Sequence, residues 1–192
     1  MHANTITLEA LRSTPAICQL LGQYFDVEIG PHYAEDWYRI PDEDGYDSFG
    51  AEGAGGRYIQ LQSGKVLFID SEGSAGVVAE TLVEYLSLAI NAAYWASMLH
   101  YSAGGQLAPM QTAERLLQSM ACNEEDWPVA IRQSLNQALG ITPLSSYADR
   151  LHQAVYNHAA QPLVLAPDGY AYDKLFGDFQ PSDNLLWRDG LQ

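Results

Sequence analysis

The sequence predicts an α+β domain, and three observations carry that expectation. Residues 57–61 and 66–70 are short runs rich in β-branched and aromatic side chains, joined by Gln62-Ser63-Gly64-Lys65. That is the pattern of a β-hairpin with a tight turn. Residues 82–160 carry apolar side chains at helical spacing, punctuated by capping residues and glycines. Residues 162–166 and 170–172 flank Pro167-Asp168-Gly169, which predicts a C-terminal hairpin around a Pro-Asp-Gly turn.

A chain of 192 residues suits a single domain that buries its own core without metals or disulfides. The expected organisation is one domain over 1–192, with a core motif at 49–100, a helical segment at 109–160 and C-terminal strands within 162–177. Hydrophobic residues make up 47% of the chain and charged residues 17%, a balance that argues against intrinsic disorder. Lys and Arg number 9 against 24 Asp and Glu, for a net charge of −15. That sign opposes phosphate backbones and anionic membranes, so nucleic acid and membrane are not expected partners. A cationic protein or a neutral ligand remains, and the chain fits a monomer or a homodimer.

The elements follow in order. Thr14-Pro15 reads as an N-cap and first helical position, Ile17, Leu20 and Leu21 as an apolar face, and Gly22 as the close of that helix. After the 57–70 hairpin, Thr81-Leu-Val-Glu84 forms a capping box that starts a helix expected to run to His100 and to end at Gly104-Gly105. Further helices are expected from Pro109 to Met120, from Asp126 and Pro128 to Gly140, and from Ser145 or Ser146 to Ala160. The run 82–99 contains Glu84, Ser87, Asn91 and Ser97, too polar for a membrane span. The first residues show no secretory signal, so the expected compartment is the cytoplasm.

Patterns that carry chemistry are few. Cys18 and Cys122 lack zinc-ligand spacing and read as buried thiols. Gly50, Gly53, Gly55 and Gly56 lead into Arg57 and a strand rather than a helix, so they make a structural turn and not a phosphate loop. Counted from Asp42, a calcium loop would need glycine sixth and glutamate twelfth, where Asp47 and Gly53 stand. His2, His32, His100, His152 and His158 show no metal spacing and read as surface or helix-end residues. No metal, cofactor or catalytic residue is expected.

The segment 24–56 stands apart. Glu35, Asp36, Asp42, Glu43, Asp44, Asp47 and Glu52 face the single base Arg39, interleaved with Tyr33, Trp37, Tyr38, Tyr46 and Phe49. Exposed aromatics amid charge of one sign suit a protein interface. The alternative is that Trp37, Tyr38 and Phe49 pack into the core while the acids solvate a loop. The partner-binding expectation names Trp37, Tyr38, Asp42, Glu43, Asp44, Tyr46 and Asp47.

One run resembles a known family. Phe49-Gly-Ala-Glu-Gly-Ala-Gly-Gly-Arg-Tyr58 is followed by the hairpin, then by Ser71-Glu-Gly-Ser-Ala-Gly-Val-Val-Ala79, then by the helix opening Thr81-Leu-Val-Glu-Tyr-Leu86. This is similar to bacterial members of the SUKH superfamily, immunity proteins related to cell-wall assembly regulators. The match covers 49–88, and Ala166-Pro-Asp-Gly169 with Leu175-Phe-Gly177 adds a weaker likeness. Its motif positions here are Gly55, Gly56, Gly64, Ser71, Glu72, Gly73, Gly76, Thr81 and Glu84. The first fifty residues depart from the usual family opening. The resemblance implies a central, mostly antiparallel sheet flanked by helices, no catalysis, and neutralisation of a toxin domain, of nuclease or deaminase type, by binding it. An acidic chain suits such a basic partner. Two other functions compete. One is a regulatory or scaffolding module for a host protein. The other is an enzyme that brings together side chains such as Glu72, His100 and His152.

Overall fold

The computed structural model describes residues 6–33, 36–121, 127–157 and 161–187. Helices α1 (Leu8–Arg12) and α2 (Pro15–Phe25) open the chain, followed by strand β1 (Glu28–Ile29). Strands β2 (Tyr46–Ala51), β3 (Arg57–Leu61), β4 (Val66–Ile69) and β5 (Ala75–Ala79) complete a sheet in chain order. Every neighbouring pair in it is antiparallel. Then come α3 (Leu82–Asn91), α4 (Trp95–His100), α5 (Leu107–Ala121), α6 (Val129–Leu139) and α7 (Tyr147–Tyr156). A short 3-10 turn (Pro181–Asp183) lies near the end. The fold is α+β, a central antiparallel sheet flanked by helices.

The β3–β4 hairpin forms as expected. Its turn uses Gly64 at φ 88°, with Leu61 N donating to Lys65 O at 2.9 Å. β4 is buried along its whole length because both sheet faces are covered. Val66 and Phe68 point into the core shared with the helices, while Leu67 and Ile69 point to the opposite core. Each such Leu or Ile contributes about 1.5–3 kcal/mol on burial. The opposite face is closed without a helix. Tyr38, Ile40 and Val164 lie on Ile59, Leu61 and Val77. Arg39 and Leu165 exchange backbone hydrogen bonds at 2.8 and 2.9 Å, and Leu165 bridges Ala171. The expected C-terminal hairpin is therefore a narrow one, turning at Gly169 (φ 91°), and it straps this face.

The open edge of β5 is also occupied. Ala75 N donates to Asp173 O at 2.9 Å, and Val77 N donates to Oε1 of Gln161 at 2.6 Å. Gln161 Nε2 then donates to Ala154 O at 2.8 Å, tying the strand to α7. An edge strand whose amides are engaged offers no template for a foreign strand.

Several boundaries differ from the sequence expectation, among them α5, which starts at Leu107 rather than Pro109, and α6, which has Pro128 as its N-cap rather than inside its first turn. β2 falls in the stretch expected to be turns. Its Asp47, Ser48 and Gly50 interrupt hydrophobic alternation, and pairing with β3 holds it in place. α2 continues through Gly22 and ends on Asp26, which takes the left-handed conformation at φ 53°. Thr14 makes no capping bond there; its hydroxyl donates to Ala10 O at 3.0 Å. The helix expected over 81–100 breaks at Tyr94 (φ 51°), separating α3 from α4.

Three caps stand as expected. Thr81 Oγ1 accepts from Glu84 N at 3.1 Å, Ser146 Oγ accepts from Asp149 N at 3.3 Å, and Gly140 closes α6 at φ 63°. Glu84 reaches back to Glu80 N at 3.0 Å rather than to the threonine amide. Cys18 is a half-buried free thiol donating to Leu11 O at 3.2 Å, and burial pushes its pKa up. Cys122, Asp126, His2, His158, Ala160 and Glu35 lie outside the described residues. No helix among the described residues is long and apolar enough to cross a membrane.

Candidate functional site

The seven residues expected at an interface divide into two groups. Tyr38 is inside the fold at 2% exposure, a correction to its expected surface role. It is needed there to cover β3 and β4. Trp37 is half-buried and meets Tyr38 edge-on at 4.9 Å, and its carbonyl accepts from Tyr172 Oη at 3.1 Å. Tyr46 is half-buried against the same core. Phe49, in the same segment, is fully buried.

Asp47 is committed internally. Arg12 Nη1 and Nη2 donate to its two oxygens at 2.7 and 2.8 Å, and these bonds hold its carboxyl below the ordinary aspartate range. His32 Nδ1 stands 3.6 Å from the same carboxylate and accepts from Ser48 N at 3.1 Å. Asp42 and Asp44 are exposed and Glu43 is half-buried, on a turn whose Glu43 N donates to Ile40 O at 3.2 Å. No described Lys or Arg pairs with these three carboxylates.

The family-like motif positions are structural. Gly55 and Gly73 take φ of 103° and 100°. Gly56 passes so close to β4 that an added Cβ would lie 2.9 Å from Ile69 O. Gly76 faces Leu175 and Gln161. Ser71 and Glu72 are exposed in a turn organised by Asp70, whose Oδ1 accepts from Glu72 N and Ser74 N at 2.9 and 2.8 Å. Glu84 pairs with Arg150, joining α3 to α7.

Two adjoining hollows were not legible in the sequence. The first, of 290 Å³, is walled by Tyr24, Phe25, Tyr58, Tyr94, Trp95 and Trp127 and carries the carboxylates Asp26 and Glu52. Asp26 Oδ1 accepts from Gly53 N at 2.8 Å, fixing the loop that holds Glu52. Burial, then repulsion from Asp26 and Asp70, pushes the Glu52 carboxyl above its ordinary range. The Tyr58 hydroxyl is pushed up too, first by burial and then by Glu52. The second hollow, of 400 Å³, shares Glu52, Ala96 and Ser97 with the first and adds Asp70, Glu72, His100 and Lys174. The lining of the first hollow comes from 24–26, 52–58, 89–97 and 127, so no single stretch of sequence marks the place.

The trio suggested for an enzyme is not assembled. Glu72 and His100 border one hollow. His152 lies on α7, its Nε2 2.9 Å from Gly105 O and its ring stacked on Tyr156 at 5.2 Å. No group of three or more His, Cys, Asp or Glu among the described residues has metal-binding geometry.

The class defined by this architecture is α+β, with a five-stranded antiparallel meander strapped on one face and packed by helices on the other. No protein-family model, no curated protein and no solved structure matches the chain.

Proposed function

We propose that the chain is a non-catalytic protein-binding module of the immunity type, acting in the cytoplasm by covering a basic bacterial toxin domain of nuclease or deaminase type. The observation that carries this reading is the charge left uncompensated after folding. Among the described acidic residues, Lys or Arg pairs with Asp47, Glu80 and Glu84 alone. The net charge of −15 creates a negative field, with Asp42, Glu43 and Asp44 displayed on one turn. Such a field steers a cationic partner and occupies sites shaped for phosphate.

The test is co-expression with the products of adjacent genes. The expected result is a basic neighbour that is toxic alone, harmless with this protein, and bound in a complex whose association slows as salt rises. A neighbourhood without a toxic product, with a host protein as the specific partner, would move the reading to a regulatory module.

A further inference from the structure

The aromatic cavity has a chemistry that stands apart from the toxin-binding reading. Its 290 Å³ far exceeds the ~10–15 Å³ that one water needs. Tyr24, Tyr94, Trp95 and Trp127 supply ring surface, and the negative faces of such rings attract cations. Asp26 and Glu52 add two carboxylates, and no Lys, Arg or His among the described residues lines the space. Arg132 lies over the Trp127 ring, 5.9 Å from its centroid, outside that lining.

The backbone points to the same place. Asp26, Tyr94 and Ala103 are the non-glycine residues with positive φ among those described, and the first two both border this cavity. A left-handed conformation costs a side-chain-bearing residue about 1–2 kcal/mol, and such strain concentrates where a side chain must be aimed. Asp26 takes this conformation as the C-cap of α2 and Tyr94 as the residue before α4, and both side chains border the one space. Glu52 is repelled by both Asp26 and Asp70, against a single opposing backbone hydrogen bond from Gly56. A bound cation would relieve that repulsion.

We propose that this cavity binds an alkyl guanidinium or alkyl ammonium group, its stem against the Trp95 and Trp127 rings and its charge against Asp26 and Glu52. Two sources share this chemistry, an Arg or Lys side chain of a protein and a free small amine.

The test titrates the full chain with butylguanidinium and with butylurea, which has the same shape and no charge. Indole N–H signals of Trp95 and Trp127 report binding by NMR. The expected result is saturable butylguanidinium binding, at least about tenfold tighter than butylurea, with shifts at both indoles. Asp26→Asn and Glu52→Gln should each weaken it several-fold, and the double variant should erase the preference for charge. Absence of binding, equal binding of the two probes, or a folded double variant that keeps the preference overturns the proposal. A third probe, acetyl-arginine methylamide, separates the sources. Binding as tight as butylguanidinium assigns the cavity to a protein side chain, and its exclusion with butylguanidinium retained assigns it to a free amine.

Discussion

Arg12 of α1 grips Asp47 of β2 with both terminal nitrogens, at 2.7 and 2.8 Å, across 35 positions of sequence. The same side chain donates Nε to Gly30 O at 2.8 Å. One guanidinium thus fastens the N-terminal helices and the segment after β1 to the second strand of the sheet. A planar fork meeting a carboxylate is the strongest common form of charged hydrogen bond.

Removing that fork should therefore be felt. Arg12→Gln should cost about 1–2 kcal/mol in urea unfolding, the part-exposed setting keeping it below a buried pair. The pH dependence has a definite sign. Asp47 is depressed in the folded state, chiefly by Arg12. Its contribution is complete above its ordinary value near 3.8 and fades as pH falls through the lower folded value. Glu52 acts oppositely. Its folded pKa is raised, so stability grows as pH falls through that value towards its ordinary 4.5. Asp47→Asn should flatten the acid side of the stability profile and Glu52→Gln the rise that precedes it. A profile unchanged by both substitutions would contradict these assignments.

A second internal lock joins α3 to α6. Asn136 Nδ2 donates to Asn91 Oδ1 at 2.7 Å, and Asn91 Nδ2 donates back to Asn136 Oδ1 at 3.0 Å. Asn91 is 7% exposed and also donates to Ser87 O. Asn136→Ala leaves a buried amide oxygen unpaired and should cost about 1–3 kcal/mol. The double variant Asn91→Ala/Asn136→Ala should cost less than the sum of the singles, by roughly 1 kcal/mol. Strict additivity in thermal or urea unfolding would rule out the coupling.

Backbone conformation gives a matched pair with opposite signs. Ala103 sits at φ 49°, at the head of a left-handed run with Gly104 and Gly105. Ala103→Gly removes the Cβ strain and should raise stability by roughly 0.5–1 kcal/mol after the entropy cost of glycine. Gly140 sits at φ 63° with open space around a would-be Cβ. Gly140→Ala should lower stability by about 1 kcal/mol through strain alone. Calorimetry that moves both melting temperatures in one direction would reject the argument.

What the sequence made legible was local. Val66 to Ile69, the Gly64 turn, the Thr81 and Ser146 caps and the Gly140 stop each depend on a few neighbouring residues. What it concealed was long-range. β2 carries Asp47 because Arg12 waits for it, although no pattern within 46–51 says so. Tyr94 has no local reason to leave the helix, and the Trp127 ring that stands 6.2 Å from its own lies 33 positions further on. Tyr38 looks like an interface residue in a run of acids and becomes core only because Val164, 126 positions later, lies on the same sheet face. The candidate cavity is hidden for the same reason, being built from four separated segments.

That sorting sharpens the last prediction, which concerns the acidic turn. With Tyr38 buried and Asp47 engaged, Asp42, Glu43 and Asp44 are the acidic members of the expected interface that remain available to a basic partner, beside the half-buried Trp37 and Tyr46. Changing all three to Asn, Gln and Asn should leave urea stability within about 0.5 kcal/mol, as for surface sites away from packing. Exposed charges act mainly on encounter, so the association rate with the basic partner should fall about tenfold at low salt. The difference should vanish near 1 M salt, where the screening length shrinks to about 3 Å. Tyr38→Ala should behave in the opposite way, costing about 3–5 kcal/mol of stability as a large buried ring is lost. Stopped-flow association across a salt series decides the matter. If the triple variant associates as fast as the wild type at low salt, the partner approaches by another face.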